Sequence, residues 1–267
     1  HIQTKVFNGT GSMQANGGDS YDDYRNAGSG GRISVYYRNN EGFSFSRLLA
    51  RGGLNTNSND TSRMSFTGGA GTVYLRRDGQ LYGELYASNG GFEVNGGTTP
   101  IDTIGRGFVT NLSSTVLTDA SANWPVNAWV GMKVIPNVLD GTNFKVVAND
   151  KTTLTVTGGD LTSVADIGSE YTGLLTLDAL VSRGEARLVI KDRLTILNAP
   201  TGMGSAINFT GHAVLGEVNF SKNLNFTIQD VDVHAISLTG LNDLILSGTG
   251  RLLPWQATTT SVYPQTI

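Results

Sequence analysis

Apolar and polar residues alternate along much of the chain with the two-residue period of a half-buried β-strand. In GSGGRISVYY (28–37), Ile33, Val35 and Tyr37 fall on one side of the predicted strand and Tyr36 on the other. Similar segments recur later in the chain. The alternation predicts that eight side chains are buried: Ile33, Val35, Val73, Leu75, Leu224, Phe226, Leu244 and Leu246.

Glycine-containing strings repeat in the first hundred residues. ANGG (15–18) returns as ARGG (50–53) and SNGG (88–91), and GSGGRISVYY is followed by the related GGAGTVYL (68–75). The repeating unit is roughly 35–40 residues long, a spacing typical of repeat architectures. We expect the glycine pairs to supply positive φ at corners and to let adjacent coils approach closely. Stacked units would bury one continuous core.

The pattern changes near Pro100 and again near Leu174. Residues 104–173 lack glycine-pair corners but hold Trp124 and Trp129, which we expect to form the core of a small separate module. The segment predicts a meander of short strands. These strands are predicted at 107–111, 115–118, 131–136, 143–148 and 153–157.

A second rhythm begins at Leu174. HAVLGEVNFSKNLNF (212–226) aligns with HAISLTGLNDLILSG (234–248) at an offset of 22 residues, close to one coil of a parallel β-helix. The predicted fold is therefore all-β: a parallel β-helix (β-solenoid) interrupted by a small β-barrel or β-sandwich insert. Its predicted parts are glycine-rich solenoid repeats at 1–103, the insert at 104–173, and β-helix coils with an exit segment at 174–267.

Composition narrows the classes of partner. The chain has 35 glycines, 6 prolines, 15% charged residues and a net charge of −3, which argues against nucleic acid or an anionic membrane as partner. No apolar run reaches the roughly 18 residues of a membrane span. The absence of cysteine excludes a disulfide scaffold and a thiolate metal site. Because the chain starts at His1, we expect an excised or processed fragment of a longer protein.

Three segments resemble known architectures. ANGG and GSGGRISVYY resemble the glycine-rich repeats of very large secreted bacterial surface proteins. NLNFTIQDVDVHAISLTGLNDLILSG (223–248) resembles the coils of pectate-lyase-like right-handed β-helices, a fold shared by adhesins, tailspikes and polysaccharide-cleaving enzymes. The segment at 115–173 is similar to a small β module inserted in phage tail and bacterial surface proteins. These resemblances imply an extracellular or cell-surface location and specify architecture more than chemistry.

QDVDVHAI (229–236) is the best candidate for catalysis. With Val231 and Val233 pointing inward, Asp230, Asp232 and His234 would project from one face about 6–7 Å apart. Paired carboxylates at such spacing perform acid–base work on glycosidic bonds. The alternative is an ordinary solvated strand face, and no nearby Arg or Lys is evident to neutralise a uronate.

Metal and cofactor chemistry has weaker support in the sequence. His212 and His234 would stack one coil apart and, with Asp232, form a zinc-type ligand set, although stacked like residues also occur without a ligand. Asp19, Asp22 and Asp23 lie in a loop that is either solvated or a calcium turn. The glycine-rich strings match no phosphate-binding or dinucleotide motif. No metal or cofactor is predicted.

Four tyrosines form the candidate ligand-binding strip. Tyr36, Tyr74, Tyr82 and Tyr86 are predicted to point outward, opposite Leu81, Leu85 and Ala87 on the last strand, with Arg38 and Arg76 beside two of them. Such a strip suits sugar stacking or protein contact, and tyrosine is equally a good former of exposed strands.

The leading functional hypothesis is a structural or adhesive segment of an extracellular bacterial surface or fibre protein. Its expected partners are a surface polysaccharide or another protein, and further domains of the same chain. The alternatives are a polysaccharide-processing β-helix enzyme, glycosidase or lyase, and a carbohydrate-binding module. A groove lined by several carboxylates would favour the enzyme, and a flat polar face would favour the rod.

Overall fold

The fold was analysed in a computed structural model that describes residues 1–21, 27–54, 67–91, 97–201 and 206–254. Strands make up 54% of the structure and helical turns 3%, so the chain is all-β as predicted. Its two helical elements are short 3₁₀ turns at Phe45–Arg47 and Leu161–Ser163.

The strands within these ranges are numbered in chain order. They are β1 Ile2–Asn8, β2 Met13–Gln14, β3 Arg32–Glu41, β4 Leu48–Leu49, β5 Thr72–Arg77, β6 Glu84–Ser88, β7 Thr99–Pro100, β8 Arg106–Phe108, β9 Asn111–Leu112, β10 Val116–Thr118, β11 Lys133–Ile135, β12 Phe144–Asn149, β13 Thr153–Thr157, β14 Glu170–Leu177, β15 Ala179–Ile190, β16 Arg193–Ile196, β17 Ala206–Gln229, β18 Asp232–Ser247 and β19 Arg251–Pro254.

The chain divides into two compact units. The first contains residues 1–101, 177–189 and 196–267, and the second contains 102–176 with 190–195. The predicted insert, 104–173, lies inside the second unit, which also takes six residues from the chain that follows β15.

Parallel stacking of the glycine-rich repeats builds the first part of unit one. β1 pairs in parallel with β3, and β3 with β5, so that Ile33 lies beside Val73 and Val35 beside Leu75. β2 and β4 pair in parallel as well. Both Ile33 and Val35 are buried in a cluster that also contains Phe7, as the alternation predicted. β5 then turns back at Gly79 into β6, which is antiparallel to it.

The glycine pairs bring backbone against backbone between repeats. A Cβ atom on Gly17 would overlap the carbonyl oxygen of Gly28, and one on Gly71 would overlap that of Gly31. The Gly53 amide donates to the Gly28 carbonyl at 2.8 Å. The predicted close approach is confirmed. The predicted positive φ is wrong for these glycines, and among the xxGG strings only Gly90 and Gly91 adopt it.

The last coils of unit one are β17, β18 and β19, paired in parallel. Phe226 is 1% exposed and packs edge-to-face on Phe209, as predicted for a core residue. Leu244 and Leu246 were predicted to be buried, but they are 41% and 53% exposed. β19 pairs only with residues 232–235 of β18, so residues 241–247 have a described neighbouring strand on one side alone.

The second unit is an antiparallel sheet in the order β9–β10–β13–β12–β11–β14–β8. Most of its strands lie within two residues of the predicted ones, although 107–111 is divided between β8 and β9. Trp124 and Trp129 are each 7% exposed in its hydrophobic core, which confirms their predicted role. The Trp124 indole N–H donates to the Ile104 carbonyl at 2.9 Å.

Candidate functional site

Two of the four predicted tyrosines form a continuous aromatic surface. Tyr36 on β3 and Tyr74 on β5 lie on the face opposite the buried Val35 and Val73, with ring centroids 5.7 Å apart. The His1 ring lies 4.9 Å from that of Tyr36. Alternation directs these side chains away from the core, and parallel pairing of β3 with β5 brings them together.

Arginines border the two tyrosine rings. The Arg76 guanidinium lies 5.9 Å from the centroid of the Tyr36 ring, within cation–π range. Arg38, two residues after Tyr36, pairs with Asp78 at 2.9 Å. We call Tyr36, Tyr74, Arg38 and Arg76 the tyrosine–arginine face. It combines flat apolar rings with guanidinium donors on a regular strand scaffold.

Tyr74 is held in place by a glycine beneath its ring. A side chain at Gly83 would overlap the Tyr74 phenol, so the ring lies directly on the backbone there. This burial raises the pKa of the Tyr74 hydroxyl, which therefore stays protonated at neutral pH. The ring is partly buried and keeps one surface exposed.

The other two tyrosines do not join this face. In the antiparallel β5–β6 pair Tyr86 lies opposite Val73, which places its side chain on the core face. Tyr82 precedes β6, and no ring contact joins it to Tyr36 or Tyr74, all three being described residues. All four tyrosines are partly exposed, as predicted, but as two separate groups.

The strand alternation predicted for β6 was wrong in its first half. Leu81, predicted to point inward, is 80% exposed because it belongs to the turn before β6. Glu84, predicted to point outward, is 5% exposed and lies beside Leu75 in the β5–β6 register. It accepts a hydrogen bond from the Tyr86 hydroxyl, and burial together with this bond raises the pKa of Tyr86.

The predicted catalytic residues are divided among three environments. Asp232 forms a bidentate pair with Arg251 at 2.7 and 2.6 Å, and these hydrogen bonds lower its pKa. Asp230 has φ 58° and accepts the Thr249 amide at 2.9 Å. His234 is only 7% exposed, and burial lowers its pKa. The expectation of three groups projecting together into solvent is therefore wrong for His234.

A histidine missed by the catalytic prediction lies beside Asp232. β17 and β18 pair at an offset of 20 residues in this region rather than 22, so His212 is adjacent to Asp232 and His234 is adjacent to Val214. The predicted stacking of His212 on His234 is therefore wrong. The His212 Nδ1 accepts the Asp232 amide at 3.1 Å, and its Nε2 lies 3.5 Å from a Glu185 carboxylate oxygen.

This cleft has limited capacity for acid–base chemistry. Burial lowers the pKa of His212, which favours the neutral imidazole. The cavity measures about 350 Å³ and is bordered by His212, Asp230, Asp232 and Arg251. Because Asp232 is fully engaged by Arg251, it is unavailable as a second free carboxylate. In the described part of the chain, no group of three His, Cys, Asp or Glu side chains could hold a metal ion.

Arg251 and Glu185 could be found from the sequence only through coil spacing. Arg251 follows Asp232 by 19 residues, close to one coil, which is the signal that was available. The predicted absence of a neighbouring Arg or Lys was therefore wrong. Glu185 belongs to β15 and has φ 63°, which no sequence pattern indicated.

The predicted calcium loop is described only in part. Asp22 and Asp23 lie outside the described residues. Asp19 accepts the Leu54 amide at 2.8 Å and lies 3.7 Å from the Arg51 guanidinium. These contacts give Asp19 a role in joining adjacent repeats.

Comparisons with known proteins gave no relative. No protein-family model matches the chain, and no match was found among curated proteins or among solved structures. Within the described ranges, none of the helical segments has the length and apolarity required to cross a bilayer.

Proposed function

We propose that this chain is a rigid β-solenoid segment of an extracellular bacterial surface or fibre protein, and that its tyrosine–arginine face binds a surface polysaccharide. The observation that carries the proposal is the parallel register of β1, β3 and β5, which aligns Tyr36 and Tyr74 on one outward face. The small β module of the second unit decorates the rod.

The contacts between repeats support a rigid element. Backbone hydrogen bonds join consecutive repeats at the glycine strings, including Gly17 to Arg51 at 2.9 Å and Gly71 to Ala50 at 2.6 Å. Stacked repeats gain stability from nearest-neighbour contacts of this kind. A rod of this construction holds exposed side chains at fixed spacing over several strands.

The chemistry of the face supports a carbohydrate ligand. Aromatic rings stack on the apolar faces of sugars, and guanidinium groups donate to hydroxyl or carboxylate oxygens. The two rings are rigidly held, Tyr74 on Gly83 and Tyr36 between His1 and Tyr74. Rigid anchors reduce the entropy lost on binding.

The polysaccharide-processing alternative has less support. It requires two carboxylates free to act on a glycosidic bond, whereas Asp232 is paired with Arg251 and Asp230 accepts a backbone amide. His234 is buried. The adhesive function requires no such pair.

The test is retention on a panel of immobilised neutral and acidic bacterial polysaccharides. We expect Tyr36→Ala and Tyr74→Ala each to weaken retention at least tenfold, while Tyr21→Ala leaves it unchanged. Tyr21 is a suitable control because it is 78% exposed and stands apart from the face. Retention of no polysaccharide by the parent chain, or equal retention of all three variants, would refute the proposal.

A further inference from the structure

Unit one contains a second candidate site on the other face of β5. A cavity of about 430 Å³ lies between β4 and the sheet formed by β5, β6 and β15. Its volume is within the usual range of about 300–1,000 Å³ for small-molecule sites. Most of its wall is apolar, formed by Phe45, Leu48, Leu49, Ala50, Val73 and Leu75.

One wall of the cavity carries a fixed aromatic and a cation. The Arg183 guanidinium lies 5.5 Å from the centroid of the Tyr86 ring. The Tyr86 hydroxyl donates to Glu84, and Thr201 donates to Glu84 through both its hydroxyl and its amide. These bonds hold the Tyr86 ring, and the ring in turn supports Arg183.

Arg183 differs from the other arginine at this cavity. Arg51 lies 3.7 Å from Asp19 and donates to the Gly52 carbonyl at 3.0 Å. Within the described ranges Arg183 forms no ion pair, and its guanidinium contacts the Tyr86 ring instead. Glu84 is nearby, but its oxygens accept from Tyr86 and Thr201. Arg183 therefore presents a guanidinium fork without a carboxylate to an apolar cavity.

We propose that this cavity binds a small organic monocarboxylate with an apolar ring. A single guanidinium matches one carboxylate, because the planar fork donates two parallel hydrogen bonds to its oxygens. The apolar wall fits a hydrocarbon ring better than a sugar, whose hydroxyls would be buried without partners. Ser46 and Ser88 supply hydroxyl groups at the border of the cavity.

This site is independent of the tyrosine–arginine face. Val73 and Leu75, which line the cavity, alternate with Tyr74 and Arg76, which belong to the face. A ligand in the cavity would therefore leave the outward face free. Loss of one activity by substitution need not affect the other.

The test uses benzoate as probe, measured by calorimetry and by ligand-observed NMR. Benzamide has the same ring without the charge, and acetate has the charge without the ring. We expect saturable binding of benzoate, with benzamide and acetate at least tenfold weaker. Failure of benzoate to saturate, or equal binding of benzamide, would overturn the proposal.

Three variants locate the binding. Arg183→Gln should weaken benzoate binding at least tenfold, whereas Arg47→Gln should leave it unchanged, because Arg47 is exposed beside the cavity wall without lining it. Leu49→Trp should block binding by filling the cavity from its 38% exposed border. Undiminished binding in a folded Arg183→Gln or Leu49→Trp variant would contradict the assignment. If Arg183→Gln does not fold, the Leu49→Trp variant and the benzamide comparison still decide.

Discussion

Alanine substitution at two adjacent glycines tests the close packing of the repeats. At Gly17 a Cβ atom would overlap the Gly28 carbonyl and lie 2.8 Å from the Gly53 nitrogen, where ordinary contacts begin at 3.4 Å. At Gly18 nothing lies within 4 Å, and its φ is not left-handed. The two positions differ in space alone.

The expected cost at Gly17 follows from what must move. Both obstacles are backbone atoms, so relief requires separating Gly28 or Gly53 from Gly17 and stretching the 2.8 Å bond from Gly53 to Gly28. Overpacking costs about 1–3 kcal/mol, and each buried group left unpaired costs about 1–3 kcal/mol more. We expect Gly17→Ala to destabilise unit one by about 3 kcal/mol or more.

Gly18→Ala should be neutral or stabilising by up to about 1 kcal/mol, because alanine restricts the unfolded chain without a clash. Native-state hydrogen exchange at the Gly28 and Gly53 amides reports this region directly. Tryptophan fluorescence does not, since Trp124 and Trp129 belong to the second unit. Equal exchange protection in the two variants would refute the backbone packing.

Three further predictions concern the core, a buried acid and catalysis. Phe226→Ala should cost about 3–5 kcal/mol in denaturant unfolding, and Leu246→Ala under 1 kcal/mol because Leu246 is 53% exposed; similar costs would contradict this burial. Burial raises the pKa of Asp192 to about 7, so the folded second unit binds an extra proton and should lose a few kcal/mol of stability from pH 4 to pH 7. Asp192→Asn should flatten that dependence in fluorescence-detected unfolding, and an unchanged slope would assign it elsewhere. Incubation with acidic or neutral polysaccharides should release no reducing ends or unsaturated products, whereas release that Asp232→Asn abolishes would establish the enzyme.

Strand alternation predicted burial well where strands have neighbours on both sides. Phe226 and Val35 lie in such strands and are buried. Leu244 has the same periodicity but belongs to a strand segment paired on one side alone, and periodicity does not encode the number of neighbours. The sequence therefore identified strands more reliably than it identified which of them are outermost.

The candidate site was harder to predict because it depends on register. A turn before β6 moved the start of the strand, and this placed Tyr86 on the core face and buried Glu84. Likewise, a coil offset of 20 rather than 22 residues set His212 beside Asp232. A shift of one or two residues changes every neighbour along a strand, and repeated motifs alone do not fix it.

The parallel register of β1 and β3 is the basis for both the rod and its tyrosine face, and disulfide trapping tests it most directly. The chain lacks cysteine, so one introduced pair reports without interference. Val6 and Asn39 are in register and exposed, and adjacent strands lie about 4.8 Å apart, within the range that a disulfide spans. The account predicts rapid oxidation of Val6→Cys with Asn39→Cys, and little with Asn40→Cys, whose side chain points to the other face. Oxidation of the second pair in preference to the first, or of neither, would contradict the stacked repeats.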